Sequence, residues 1–179
     1  MQNRIYFVTG VCGVGKTSVI PFLRTALESE KYDVHDFDER GVPNNADRKW
    51  RLEETRHWIE TGRKNFDLGK STVICGFSTP YEIKEMNVAD GIDIVFYLLD
   101  ANTETIRTRL ERRNSNPAIL ADLQRATGKS LKQFINENTT FATTLREACS
   151  ESNCHIIDTS TKDISEVAKE ISEGIKQGV

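Results

Sequence analysis

Eight residues near the start of the chain, Gly10-Val-Cys-Gly-Val-Gly-Lys-Thr17, constrain what it can fold into more than any other stretch. They follow an apolar run, Ile5 to Val8, short enough for a buried strand. They lead into Val19, Ile20, Leu23 and Leu27, which recur at helical spacing and predict a helix from about Lys16 to Ser29. The pattern Gly-x-x-x-x-Gly-Lys-[Ser/Thr] is complete, and the strand and helix that should flank it are both present. Glycines let successive N–H groups turn inward on a phosphate, and the positive end of the next helix adds to the attraction. The expected nucleotide-binding residues are Gly10, Val11, Cys12, Gly13, Val14, Gly15, Lys16, Thr17 and Ser18. Lys16 is expected to reach the β- and γ-phosphates, and the Thr17 hydroxyl to ligate magnesium.

The rest of the chain alternates short β-branched or apolar runs with helix-periodic segments. Strands are expected at Tyr32–Asp38, Ser71–Gly76, Asp93–Leu99 and Cys154–Asp158. Helices are expected at about Asp47–Thr61 (ended by Gly62), Pro80–Met86, Thr103–Arg113, Pro117–Thr127, Leu131–Cys149 and Ile164–Ile175. Near-continuous apolar strands between helices indicate an α/β fold, with a parallel sheet of roughly five strands and helices on both faces. No repeat, low-complexity tract or linker divides the chain, so a single domain over residues 1–179 is expected. Ligands in such sheets bind beyond the strand carboxyl ends. That rule gathers Gly10–Thr17, Asp36, Asp38, Gly76–Thr79, Asp100 and Asp158–Thr161 around one crevice.

Composition excludes several partners. With 24 Lys and Arg against 27 Asp and Glu, the net charge of −3 argues against a broad nucleic-acid footprint. No apolar run reaches membrane-spanning length. Met1 to Arg4 lead straight into a strand, so neither a signal peptide nor a membrane partner is expected, and a cytoplasmic location is. Cys12, Cys75, Cys149 and Cys154 have no zinc-like spacing and read as reduced thiols. Oligomeric state is left open.

Two charge clusters could complete a phosphoryl-transfer site, which needs positioning and charge neutralisation more than covalent chemistry. The third expected strand ends Val73-Ile74-Cys75-Gly76, with Cys75 at the place where an acid for magnesium is often found; the acids are on the second, Asp36 and Asp38. Residues two apart on a strand share a face, so both carboxylates can address one crevice. One would hold magnesium through water and the other orient or deprotonate an acceptor hydroxyl. The second cluster is Arg107-Thr-Arg109-Leu-Glu-Arg112-Arg113, where Arg109 shares a helix face with Arg112 and Arg113. Trp50 and Trp58, eight apart, and His35 beside the acids fit core or structural positions better than ligand contacts.

These features resemble the nucleoside-monophosphate-kinase and shikimate-kinase group of P-loop phosphotransferases. The likeness rests on the Gly10–Thr17 loop, Asp36-Phe-Asp38, the Gly76 turn, Arg109-Leu-x-x-Arg113 and Ile156-Ile157-Asp158-Thr159-Ser160. It implies a three-layer P-loop NTPase fold with a mobile lid at about 113–131 and a substrate arm at about 41–70. It also implies Arg109 stacked on adenine, Ser160 beside the adenine pocket, and Arg113 or Arg112 clamping the transferring phosphate. The nucleoside-monophosphate kinases typically carry Asp-Gly-Phe-Pro-Arg after the third strand, its Arg gripping an acceptor phosphate. Cys75-Gly76-Phe77-Ser78-Thr79-Pro80 lacks both the Asp and the Arg, as it lacks the glycine turn of shikimate kinases. The expected acceptor contacts are Asp38, Arg48, Arg51, Gly76 and Phe77. The expected activity is ATP- and Mg2+-dependent transfer of the γ-phosphoryl to a small-molecule acceptor, a nucleoside, nucleotide or hydroxylated metabolite. Two other activities share the loop: an ATP-binding regulatory module with slow hydrolysis, and a switch GTPase, for which no Asn-Lys-x-Asp guanine reader is present.

Overall fold

Strand β1 (Ile5–Thr9) is buried at every position, and the alternation along it sorts the core into two halves. Ile5 and Phe7 face one side, where they meet Phe37, Trp58, Ile59, Ile74, Ile83 and Phe96. Tyr6 and Val8 face the other, against Val19, Leu23, Leu98, Leu110, Leu145 and Ile171 among others. Because side chains alternate across a strand, a run apolar at every position needs cover on both faces. The computed structural model, which describes residues 4–44, 46–89, 91–152 and 154–178, provides it.

Four further strands, β2 (Tyr32–Asp36), β3 (Ser71–Cys75), β4 (Ile94–Asp100) and β5 (His155–Asp158), complete a five-stranded sheet. Every pairing is parallel and the spatial order is β2-β3-β1-β4-β5. The chain leaves β1 for the β2/β3 side and later crosses to β4 on the other, so the crevice opens above the carboxyl end of β1. The helices are α1 (Lys16–Ala26), α2 (Arg48–Asp67), α3 (Pro80–Met86), α4 (Thr103–Arg113), α5 (Pro117–Thr127), α6 (Leu131–Glu151) and α7 (Ile164–Gln177). Side chains of α2 and α3 pack on the Ile5/Phe7 face; those of α1, α4, α6 and α7 pack on the Tyr6/Val8 face.

Several boundaries differ from the sequence expectation, and three of the differences have a clear local reason. Helix α1 stops at Ala26 rather than near Ser29, its last turn closed by the Leu27 N–H on the Leu23 carbonyl. Strand β2 ends at Asp36, because Glu39 and Gly41 turn their N–H groups onto the carbonyls of Asp36 and Asp38. Helix α2 runs through Gly62 to Asp67, since that glycine is a packing site and not a stop. A Cβ there would lie 2.3 Å from Ile5 Cδ1. Trp58 is buried at 2% exposure and donates its indole N–H to the Phe37 carbonyl at 3.0 Å. Trp50 meets Phe37 edge-on, so both tryptophans are structural. His35 is held similarly: its Nδ1 lies 2.6 Å from Glu39, and its ring packs on Trp58.

Gly76 follows β3 where the sheet meets the crevice, and Phe37 crosses directly over it. A Cβ on Gly76 would sit 2.0 Å from Phe37 Cβ and 3.3 Å from its Cα, so a methyl group displaces backbone. Overpacking of this kind costs about 1–3 kcal/mol. Gly76→Ala is therefore expected to lower the melting temperature by about 2–12 °C in a chain of this size, read by thermal denaturation. An unchanged melting temperature would show that Phe37 yields freely.

Candidate functional site

The loop between β1 and α1 is shaped by its glycines. Gly10 has φ of +144°, and a Cβ there would lie 2.4 Å from the Leu99 carbonyl oxygen, so no other residue fits without moving β4. Gly15 caps α1 in the left-handed region, without a side-chain cap. The first turn of α1 thus begins at Lys16 with its N–H groups open to a ligand. Lys16 folds back over the loop and donates to the Val11 carbonyl at 2.9 Å. Burial pushes its ammonium pKa down, partly countered by Cys12, Asp38 and Asp36. Neighbouring Thr17 and Ser18 are exposed.

A cleft of about 860 Å³ opens above this loop. Lys16, Arg109, Arg112, Arg113 and Lys162 line it, against the two carboxylates of Asp36 and Asp38. A chain with net charge −3 has concentrated positive charge here, which suits a polyanion. The acids arrive by a turn and not by strand alternation. Asp36 ends β2, and Asp38 lies beyond it, its N–H donating to Asp36 Oδ1 at 3.0 Å. Both side chains line the cleft, Asp38 still open to water. Partial enclosure, and then the charge of Asp36, raise the Asp38 pKa, while Lys16 opposes the shift. Sheet register pairs Asp36 with Cys75, which puts the acid one strand over from the end of β3. Cys75 is fully buried and its thiol pKa is pushed far up by desolvation, so it supplies no ligand.

The arginines divide by environment. Arg109 is half-buried and donates to Thr159 Oγ1 at 3.0 Å, the Thr159 carbonyl at 2.6 Å and the Gly13 carbonyl at 3.4 Å. It therefore ties the end of β5 to the phosphate loop along the cleft wall. Arg112 and Arg113, in the last turn of α4, are exposed and line the cleft. The expected acceptor contacts Arg48 and Arg51 stand elsewhere, on the first turns of α2, where both donate to Glu82. Gly76 lines the large cleft, and Phe77, next to it, lines a second cavity. Ser160 is absent from the described cleft wall, where Thr159 and Lys162 stand instead; its hydroxyl accepts from the Asn102 N–H at 2.9 Å. Asp100, also expected at the crevice, is ion-paired with Arg146 of α6.

The second cavity, about 650 Å³, lies between the phosphate loop and α6 and shares Cys12 and Lys16 with the cleft. Its walls include Phe77 and Phe141, ring centroids 5.7 Å apart. Asn138 of α6 reaches across and accepts the Cys12 backbone N–H at 3.0 Å, occupying one of the amides of the loop.

No family model matches the chain, and no curated protein matches it. Solved structures do. The APS kinase of Mycobacterium tuberculosis, solved with AMPPNP and APS, aligns over 98% of this chain and 98% of its own at TM-score 0.61 and 17% identity. The shikimate kinase of Acinetobacter baumannii, solved with shikimate, aligns over 99% and 95% at TM-score 0.55 and 14% identity. The chain has the fold of the P-loop kinases. At such identities the likeness is one of fold, and activity has to be argued from the site.

Within the P-loop kinase fold, sequence reasoning passed over residues of α6 and Lys162 after β5. Asn138 and Phe141 lie inside a helix-periodic segment and look like ordinary helix residues until α6 is placed beside the loop. Thr159 lies within the stretch 158–161 to which the carboxyl-end rule had pointed, and Lys162 lies one residue beyond it. Among the described residues, no group of three or more His, Cys, Asp or Glu side chains is placed to hold a metal. Nor is any helix long and apolar enough to cross a membrane.

Proposed function

We propose that the protein is an ATP-dependent kinase that transfers the γ-phosphoryl group to a hydroxyl of a small-molecule acceptor. The observation that carries the reading is the shared edge of the two cavities: Lys16 and Cys12 belong to both, and Gly76 and Phe77 stand on either side. A triphosphate in the charged cleft would end at Lys16, next to the second compartment. Loop amides and Lys16 would bind the β- and γ-phosphates. Arg113 and Arg112 would approach the transferring group and Arg109 would flank the nucleoside, although its guanidinium is already hydrogen-bonded to Thr159 and Gly13.

Chemistry on the acceptor falls to the acid pair. Asp38 would take the proton of the acceptor hydroxyl as its oxygen bonds to the γ-phosphorus; the bond from that phosphorus to the β–γ bridging oxygen breaks and ADP leaves. Its raised pKa makes Asp38 a better base than an ordinary carboxylate. Magnesium fits the donor set: Thr17 and Asp36 offer oxygen ligands only, and this ion takes few protein ligands beside phosphates and water. Thr17 and Asp36 would hold it, and when bound it neutralises charge on the phosphates.

Helix α5 lies between the arginine-rich end of α4 and α6, and none of its side chains is buried. That supports residues 113–131 as a lid. The C-terminal half of α2 is built into the core through Trp58, Ile59 and Gly62, which confines any moving part of the 41–70 arm to its first turns and the preceding loop.

Thermal shift and turnover test the reading together. ATP with Mg2+ at 100 times its Kd should stabilise the protein by about 2.7 kcal/mol, or roughly 5–11 °C. A panel of alcohols should then contain at least one that accelerates ADP release. Stabilisation by GTP and not ATP would favour a switch protein. ATP binding with no acceptor-dependent ADP release would favour a slow-ATPase module.

A further inference from the structure

The second cavity and the arm beside it carry information about the acceptor's charge. A phosphate or carboxylate on an acceptor enclosed in this cavity would need a cation to pair with it. Among the described residues lining this cavity, Lys16 is the only cation, and the triphosphate requires it. The carboxylate on the wall, Glu137, is paired with Lys129. On the arm, Arg51 donates to Glu82 at 2.6 Å, and Arg48 reaches Glu82 at 3.2 Å and Glu85 at 2.6 Å. Glu82 is buried at 2% exposure and takes a further hydrogen bond from the Thr79 hydroxyl. Drawing Arg51 away to grip an anion would break its two hydrogen bonds to that buried carboxylate and leave only Arg48 and Thr79 to hold it, a cost the anion would have to offset. Arg51 also lies over the Phe77 ring, 5.0 Å from its centroid, so its cation is engaged twice.

What the cavity offers is aromatic surface. Phe77 and Phe141 are only partly buried, although both pack against the main core. Their 5.7 Å separation is a ring–ring contact, so a ligand ring would pack against the pair and not between them. Thr140, Thr144 and Asn136 supply neutral hydrogen-bonding groups. A volume of about 650 Å³ suits a ring-bearing small molecule.

We propose that the acceptor is an uncharged alcohol with a flat aromatic ring, which packs on Phe77 and Phe141 and directs a hydroxyl toward the edge at Lys16. The inference rests on the kinase reading and narrows it: an acceptor already bearing a phosphate or carboxylate is disfavoured.

Acceptor-dependent ADP release, measured with wild-type protein and saturating ATP, tests it. One arm uses neutral nucleosides (adenosine, thymidine), a second uses neutral aryl alcohols (phenyl β-glucoside, 2-phenylethanol), and a third uses anions (AMP, TMP, shikimate, APS). Turnover in either neutral arm, with less in the anionic arm, is the expected result, and which neutral arm responds tells a nucleoside from another ring alcohol. Phe141→Leu keeps apolar volume and removes the ring. It should raise the acceptor KM about tenfold while the KM for ATP stays within about twofold. Phe141→Tyr should restore the acceptor KM, which a merely structural role would not predict. Preference for an anionic acceptor, with a KM raised by Arg51→Ala, overturns the inference and leaves the kinase reading standing. ATP binding without turnover in any arm overturns both. If Phe141→Leu fails to fold, the same KM comparison with Phe77→Leu decides.

Discussion

Lys16→Ala is expected to lower acceptor-dependent phosphoryl transfer by about 10²–10³-fold or more, with the fold intact. Removing one preorganised charge from a developing phosphoryl transition state costs about that much. The structure adds a stability argument. Burial pushes the Lys16 pKa down, so the folded protein without nucleotide holds that cation at some cost and offsets it with one hydrogen bond, to the Val11 carbonyl. Removing the side chain loses the hydrogen bond and relieves the desolvation, so the melting temperature without ATP should change little. The ATP-induced rise in melting temperature should shrink sharply. A variant that kept both turnover and the ATP-induced shift would remove Lys16 from the site, whatever the loop looks like.

How the site was legible follows from which residues are tied to local pattern. Gly10–Thr17 could be recognised because strand, turn and helix start are contiguous, and every glycine in the turn answers a local steric demand. The sheet was legible for the same reason: β1 and β4 are apolar at nearly every position, and only a sheet covered on both faces uses such runs. What could not be read is what depends on distant packing. Gly62 looked like a helix stop because local propensity disfavours glycine in helices, yet the close approach of Ile5 decides its role. Arg48 and Arg51 looked like free cations on an arm because Glu82 is 31 or more residues further along the chain. Phe141 was hidden within the α6 periodicity, and only the placement of α6 against the phosphate loop sets it opposite Phe77.

Asp38→Asn should separate catalysis from stability, and the two effects have opposite signs. Asparagine keeps the size of the side chain, and the backbone N–H of residue 38 can still donate to Asp36 Oδ1. It cannot take a proton from an alcohol, so kcat should fall about 10²–10⁴-fold while ATP binding persists. Because the Asp38 pKa is raised in the folded protein, the native state retains a proton in a pH range where the unfolded chain has lost it. With more protons bound by the native state, unfolding free energy falls as pH rises through that window. Above the window, the Asp38→Asn variant should be at least as stable as the wild type. Activity runs the other way: kcat/KM for the wild type should rise with pH along an acid limb shifted upward from the ordinary Asp value, since the base must be ionised. Asp38→Asn should flatten that limb, whereas Asp36→Asn should keep it but move it to lower pH, since the Asp36 charge helps raise the Asp38 pKa, and should raise the magnesium concentration needed for half-maximal rate. A limb that survives in Asp38→Asn but vanishes in Asp36→Asn would exchange the two roles. Full activity in both variants would take the acid pair out of the reaction.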